Sequence, residues 1–484
     1  MKNNFKSIDF WLLLFVLFIA LILRLYQLKT PLADYHSWRQ VDTAAVARNF
    51  IKTGFNLMHP KYDDLSNIQS GIENPQGLRM VEFPIYNATF ALLTKTLPFF
   101  PLEVWGRITS IVFSLIIISI IYYLALKEVG RIAAFFTAFV YAIMPFFIFF
   151  SRVVLPETTA LAFTFMAIYF LHQYFNNKNK PSRFFLITLG IFSFAAALLI
   201  KPTVIFFGLV LFYLFARQYK WSTYKKLDFY IFFLLTVLPL LLWRNYIKNF
   251  PEGIPSSEWL LTSVNTSQGL QSIFFRPAFF RWIFFERINN LILGGYLAVF
   301  VLIGFLTITG NFFPQILLLS SLVYLFVFQG GNVQHEYYQT LILPTLAFLT
   351  GTGIQVIINN IKKLFRPTLV YLTIFFVFAL SWFFSYYRVN DFYSYSPDLP
   401  QIVKVISSLT KEDDKIVTDT TGDTTLLYLV NRRGAPAPFK EFSELKKDGY
   451  RYFITFNQDV IKNMKLKNEL TIVFENDKFA LFKL

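Results

Sequence analysis

Long apolar runs constrain this chain more than any other feature. Several approach or exceed the roughly 18 apolar residues that a membrane-spanning helix needs. They recur near residues 10–27, 104–126, 132–150, 157–174, 184–200, 202–216, 228–246, 288–308, 312–328, 339–358 and 368–386, which gives about eleven spans. A chain that is 55% hydrophobic and 20% aromatic, with mean hydropathy +0.49, is far too apolar for an ordinary soluble domain. The expected fold is therefore a polytopic α-helical membrane protein. Its first apolar run follows Lys2 and Lys6 and lacks a small-residue cleavage site, so it reads as a retained span rather than a signal peptide. The Pro-rich stretch 84–101 has room for one further short helix.

The formal charge of +16 raises the question of nucleic acid, and its distribution answers it. Residues 1–387 hold 30 basic and 15 acidic side chains, whereas residues 388–484 hold 15 and 14. The excess belongs to the membrane part, and no basic domain with interleaved aromatics or zinc-finger spacing is present. A nucleic-acid partner is excluded on that ground. Cysteine is absent, which removes disulfide and thiol chemistry.

Loop charges orient the spans. With the N-terminus inside, the inner loops 1–9, 127–131, 175–183, 217–227, 309–311 and 359–367 carry two, two, three, four, none and three Lys or Arg. The short outer turns carry only Arg152 and Lys201. This is the positive-inside pattern. An odd number of spans then sends residues 388–484 outside, together with the loop 28–103 and the segment 247–287, where Pro251, Pro255, Ser256, Ser257 and Pro277 interrupt any span. The expected domains are a membrane part, 1–387, and a small soluble α/β domain, 388–484. In the latter, Ser396-Pro397 is expected to start a helix through about Leu409. Lys415–Thr418 and Tyr450–Phe456 read as strands, 421–431 and 441–448 as helices, and Thr471–Glu475 with Phe479–Lys483 as a hairpin.

Chemistry gathers at the outer ends of the helices. Just after the first span comes Asp34-Tyr35-His36-Ser37-Trp38-Arg39-Gln40-Val41-Asp42-Thr43. Ser37 with Gln40 fits a capping box, so a helix is expected from about Trp38. Arg39, Asp42, Thr43 and Asn49 fall between its apolar positions, which suits a helix lying in the membrane interface. Asp34 would then sit in a hinge at the membrane boundary, where a positioned carboxylate is a candidate general base. Other polar residues fall at outer ends: Glu82 before Pro84, Arg152 and Glu157 in one turn, Lys201-Pro202, and His335-Glu336-Tyr337-Tyr338. Charges beside membrane spans are costly unless they pair, reach water or serve a site. Singly, each has a plainer reading: a hinge acid, an Arg152–Glu157 interfacial pair, a snorkelling Lys201, a polar cap at His335, a loop acid at Glu82. His36 and His59 carry less weight, and His172, near the inner side, reads as structural. Together, cations that hold a phosphate leaving group and an acid that takes a hydroxyl or amine proton suit transfer from a lipid-phosphate sugar.

The same residues resemble the GT-C glycosyltransferases, with bacterial relatives of protein O-mannosyltransferases and lipid A aminoarabinose transferases as the nearest likeness. The resemblance covers about 1–387 and is strongest at DYHSWRQVDTAAVARNF (34–50), EFPIYN (82–87), SRVVLPE (151–157), KP (201–202) and HEYYQ (335–339). It implies an integral protein of the bacterial cytoplasmic membrane that transfers a sugar from a polyprenyl-phosphate donor on the outer face, with inversion. The acceptor would be a glycan, lipid or protein. By position, Asp34 would match the base, and Lys201 the residue at the donor phosphate. Arg152, Glu157 and His335 would lie at the donor cavity, with Glu82, Glu336, Arg39, Asp42 and Tyr338 in supporting or acceptor-side places. Two departures stand out: Tyr35 replaces the usual second acid, and Glu82-Phe83-Pro84 replaces Lys-Pro-Pro. Either a divalent cation joins Asp34 and Glu82, or Glu82 positions the acceptor. Two other functions fit the same chain: a lipid-linked glycan flippase or transporter, and an outer-face glycan polymerase or ligase.

Overall fold

The computed structural model describes residues 5–256, 277–308, 310–361, 366–467 and 470–484. Among these, seven helical segments are long and apolar enough to cross a membrane: Ser7–Arg24, Leu102–Glu128, Lys180–Ile200, Pro202–Lys225, Leu227–Ile247, Glu336–Asn359 and Pro367–Tyr393. The protein is an integral membrane protein built mostly of helix. The other segments read as spans are helical too. Glu157–Asn176 runs for 20 residues, while Arg131–Ile143, Ala298–Leu306 and Phe313–Val327 are shorter.

The chain forms two compact units: Met1–Leu28 with Arg107–Trp243 and Trp259–Phe392, and Lys29–Gly106 with Arg244–Glu258 and Tyr393–Leu484. Residues 29–106, read from the sequence as a loop of the membrane part, thus cluster with the tail.

In the first unit, the single span expected over 132–150 is broken at Met144, between helices Arg131–Ile143 and Pro145–Phe150. Pro145 has no N–H, so the Tyr141 carbonyl four residues earlier loses its helical donor. The fully buried Arg24, in the last turn of Ser7–Arg24, replaces it. Its Nη2 donates to the Tyr141 carbonyl at 2.9 Å, Nη1 to the Ala142 carbonyl at 3.0 Å, and Nε to Ser151 Oγ at 2.7 Å. Trp382 Nε1 donates to the Ile143 carbonyl at 3.1 Å. The expected span 288–308 is interrupted as well. A π-helix over Arg281–Ile292 gives way at Gly294 and Gly295 before Ala298–Leu306 begins. Close helix contact follows from small residues: a Cβ at Gly353, in Leu343–Asn359, would lie 2.0 Å from the Phe300 carbonyl oxygen.

The second unit is built on a five-stranded sheet of order β2-β1-β3-β5-β4. The strands are β1 Lys415–Thr418, β2 Gly434–Ala435, β3 Tyr450–Thr455, β4 Thr471–Glu475 and β5 Ala480–Lys483. β1 pairs in parallel with β2 and β3, and β5 runs antiparallel to β3 and β4, closing the expected hairpin. The tail helix begins at Leu399 with Pro400 in its first turn, not at Pro397. Helix Gln458–Lys467 and strand β2 had no clear signal in the sequence. Residues 63–65 extend the sheet edge: Gly434 N donates to the Asp63 carbonyl at 2.9 Å, and Leu65 N to the Gly434 carbonyl at 2.7 Å. A Cβ at Gly434 would lie 1.8 Å from the Ile416 carbonyl oxygen, so only glycine permits this approach.

Two acids are buried at that edge. Asp63 is paired with Arg48, whose guanidinium also donates to the Tyr428 carbonyl at 2.7 Å and lies 4.1 Å from the Tyr428 ring. Asp64 is fully buried, and loss of hydration pushes its carboxyl up to about 6, although the Ser66 N–H and hydroxyl donate to it at 2.8 and 2.6 Å. The folded state therefore keeps a proton that the unfolded chain releases near its ordinary value of 3.8. Stability is lost as pH rises between these two values. Asp64→Asn should remove that loss. The variant is expected to be more stable than the parent at pH 7, by on the order of 2 kcal/mol, and equal to it below about pH 4. Thermal melting against pH checks this, and a parallel pair of curves refutes it.

Candidate functional site

Asp34 lies in the second unit and is only 3% exposed. The helix that follows begins at Ser37 and ends at Thr53. The expected capping box is not formed. His36 precedes the helix with a left-handed backbone, φ 57° and ψ 36°, and Gln40 turns back across it. Gln40 Nε2 donates to Asp34 Oδ1 at 2.6 Å and to the Tyr35 carbonyl at 3.1 Å. Ser37 Oγ meanwhile accepts from Thr425 Oγ1 at 2.9 Å. The amide of Gln40 thus orients the carboxylate.

Nor does this helix expose one polar face. Positions 39–47, Asn49 and Phe50 are all buried. Its polar side chains make directed bonds instead. Arg39 Nη2 donates to both Glu82 oxygens at 2.8 Å. Asp42 accepts from Thr424 Oγ1 at 2.6 Å and pairs with Arg79 at 3.2 Å. Asn49 Nδ2 donates to the Lys61 carbonyl at 3.0 Å. The helix hidden in the Pro-rich stretch, Ile85–Thr96, packs on it, and Asn87 Nδ2 donates to the Thr43 carbonyl at 2.7 Å. The engagement of Glu82 by Arg39 does not fit a cation shared by Asp34 and Glu82. No group of three or more His, Cys, Asp or Glu among the described residues is spaced to hold a metal ion.

Lys201, Glu157, Arg152, His335, Glu336, Tyr338 and His172 lie in the first unit, and His59 in the second. Lys201 is an extended break, φ −149° and ψ 99°, between Lys180–Ile200 and the 3-10 turn Pro202–Phe207, because Pro202 cannot continue the helix. This break frees its side chain to reach Glu157 at the start of Glu157–Asn176, with Nζ 2.7 Å from Oε1. The pair is buried, and Lys201 Nζ also lies 5.3 Å from the Tyr338 ring centre. Glu157 is therefore the partner of Lys201. Arg152 is fully buried and donates from Nη2 to the Gln27 carbonyl at 2.9 Å. Glu336 pairs with Arg287 at 2.9 Å, and Arg287 also donates to the Val333 carbonyl at 2.8 Å. The His335 ring stacks on Tyr337, 5.4 Å between centres. His172 bonds Glu128 at 3.0 Å, as a structural residue would. His59 meets Tyr246 at 3.2 Å.

Gln40, Arg79 and Arg287 were not singled out from the sequence as parts of this chemistry. Gln40 was visible only as a cap, Arg79 sits in a loop, and Arg287 lies in the π-helix Arg281–Ile292, in a stretch read from the sequence as an interrupted segment.

The model of the dolichyl-phosphate-mannose-protein mannosyltransferase family matches residues 84–243. No curated protein matched by sequence. Among solved structures, ArnT from Cupriavidus metallidurans in the apo state is similar at TM-score 0.64 and 12% identity, over 99% of this chain and 98% of that one. The same protein bound to undecaprenyl phosphate gives 0.62 at 12% identity, over 97% of each chain. The Archaeoglobus fulgidus oligosaccharyltransferase, in complex with zinc and sulfate, gives 0.59 at 12% identity, over 92% of this chain and 67% of that one. The mycobacterial arabinofuranosyltransferase AftD gives 0.58 at 12% identity, over 100% and 42%. The chain thus shares the overall fold of these proteins.

The Lys201–Glu157 pair yields a test of what holds this corner. Lys201→Met leaves a buried carboxylate unpaired and should cost about 3–5 kcal/mol. Lys201→Met with Glu157→Leu should recover most of that stability. Melting temperatures of the purified single and double variants check this, and a double variant as unstable as the single one contradicts it.

Proposed function

We propose that this protein is an inverting GT-C glycosyltransferase that moves a sugar from a polyprenyl-phosphate carrier to an acceptor on the outer face of the cytoplasmic membrane. The observation that carries the mechanism is Asp34, buried and oriented by Gln40 at 2.6 Å. A carboxylate held with one oxygen in a hydrogen bond is fixed in direction, as a general base needs to be. Asp34 takes the proton from the acceptor hydroxyl or amine as that oxygen or nitrogen attacks the anomeric carbon. The carbon–oxygen bond to the lipid phosphate breaks on the opposite side, which inverts the centre. Negative charge grows on the leaving phosphate, and Lys201 and Arg152 supply the compensating cations. Glu157 positions Lys201 through their 2.7 Å contact. Arg39 and Glu82 brace the helix next to the base. Asp42, joined to Thr424 and Arg79, is a structural bridge.

The donor class is supported by the likeness to ArnT bound to undecaprenyl phosphate and by the dolichyl-phosphate-mannose family match. The outer-face placement rests on the loop charges. A second reading, transfer of a preassembled lipid-linked oligosaccharide, is supported by the likeness to the archaeal oligosaccharyltransferase. Donor supply separates the two. Purified protein should discharge a polyprenyl-monophosphate monosaccharide and leave a lipid-linked oligosaccharide intact; the reverse outcome selects the second reading.

With the active donor, Asp34→Asn should lower transfer by at least about 10²-fold while donor binding and melting temperature stay near the parent values. Near-normal turnover defeats the assignment of the base. The Lys201→Met, Glu157→Leu double variant should bind donor weakly and turn over slowly even where its fold is intact. Full activity in that variant removes Lys201 from the donor site.

A further inference from the structure

A second site lies away from this chemistry, at the turn joining two spans. There, a cavity of about 440 Å³ is lined by Phe212, Ala216 and Phe229 from the flanking helices, and by Lys220, Trp221, Thr223 and Tyr224 from the turn. Its floor is apolar. Its rim is a cation with two exposed aromatic rings, and Trp221 is 91% exposed. The turn itself is a 3-10 segment, Lys220–Lys225, between Gly208–Tyr219 and Leu227–Ile247.

The rim cations are available. The acids nearby are already satisfied: Asp228 Oδ2 accepts from Tyr174 at 2.7 Å and from Tyr219 at 2.6 Å, and Glu128 is held by Arg217 at 2.7 Å and His172 at 3.0 Å. Among the described residues, no acid pairs with Lys220, Lys225 or Lys226. Lys226 lies 5.0 Å from the Tyr219 ring centre and Lys225 5.5 Å from that of Tyr224. Lys220 has the backbone at φ 52° and ψ −136°, a conformation costly for a side chain with a Cβ. That cost is borne at a residue that lines the cavity.

We propose that this cavity binds an anionic phospholipid, with the phosphate on Lys220, flanked by Lys225 and Lys226, and an acyl chain on Phe212, Ala216 and Phe229. Charge decides the occupant. A run of uncompensated lysines at the end of two spans attracts negatively charged headgroups of the surrounding leaflet, and exposed Trp and Tyr favour the same depth. A zwitterionic lipid would leave the lysines uncompensated.

The test uses the full-length protein reconstituted in equimolar phosphatidylglycerol and phosphatidylcholine, followed by native mass spectrometry of retained lipid. Phosphatidylglycerol should be enriched. The K220Q, K225Q, K226Q triple variant should lose that enrichment, by roughly fivefold for each lysine removed. Lys220→Arg, which keeps the charge, should retain it. Ala216→Trp fills the cavity without touching any charge and should also cut retention. Equal retention of both lipids by the parent protein overturns the proposal. So does full retention in the Ala216→Trp variant, which would mean a diffuse lipid corona rather than a cavity. Melting temperatures confirm that each variant is folded before its lipids are counted.

Discussion

The membrane unit depends on how the break at Pro145 is completed. In hydrocarbon an unmet carbonyl costs several kcal/mol, so a helix can break only where another group completes its bonding. Pro145 forces such a break, and Arg24 completes it with hydrogen bonds to the Tyr141 and Ala142 carbonyls. The same guanidinium bonds Ser151, the first residue of the turn that carries Arg152 and leads to Glu157. One buried cation in the first span therefore sets the start of a segment far along the chain. A lysine in its place would offer one nitrogen to acceptors that Arg24 reaches with three.

Among the described residues, buried charge is paired or bonded, and the pairings differ in kind. Arg48, paired with Asp63, also bonds the Tyr428 carbonyl, and Asp42, paired with Arg79, accepts from Thr424, so both join residues 29–106 to the tail within one unit. Lys201 with Glu157 differs because its lysine sits at a helix break, stacked near Tyr338. An ion pair that holds a lysine in one rotamer prepares it for an anion at little further entropic cost. Asp34 differs again. The Gln40 amide donates to one of its oxygens at 2.6 Å and so orients the carboxylate. In the proposed reaction that orientation serves proton transfer.

How much of this was legible beforehand follows from the range of each interaction. Apolar runs and loop charges are local, and they pointed to a polytopic helical membrane protein. The alternation and turn residues of 415–418, 450–455 and 471–483 are local as well, and the strands form within a residue or two of where they were expected. The helix at 37–53 was legible in extent but not in setting. Its polar positions suggested water, because partners such as Glu82, Arg79 and Thr424 come from distant segments. Gln40 reads equally well as a cap or as an orienter of Asp34, since both are one hydrogen bond made by the same amide.

Composition, periodicity and charge asymmetry by themselves determined the class of protein, the helical segments and the small α/β tail, because each rests on burial or on contacts between near neighbours. The tertiary structure alone decided that residues 29–106 pack with the tail. It also decided that Glu157 belongs to Lys201, that Glu82 belongs to Arg39, and that Arg24 repairs the break at Pro145. Those are pairings between side chains far apart in sequence, selected by geometry and by the cost of leaving a buried polar group unmet.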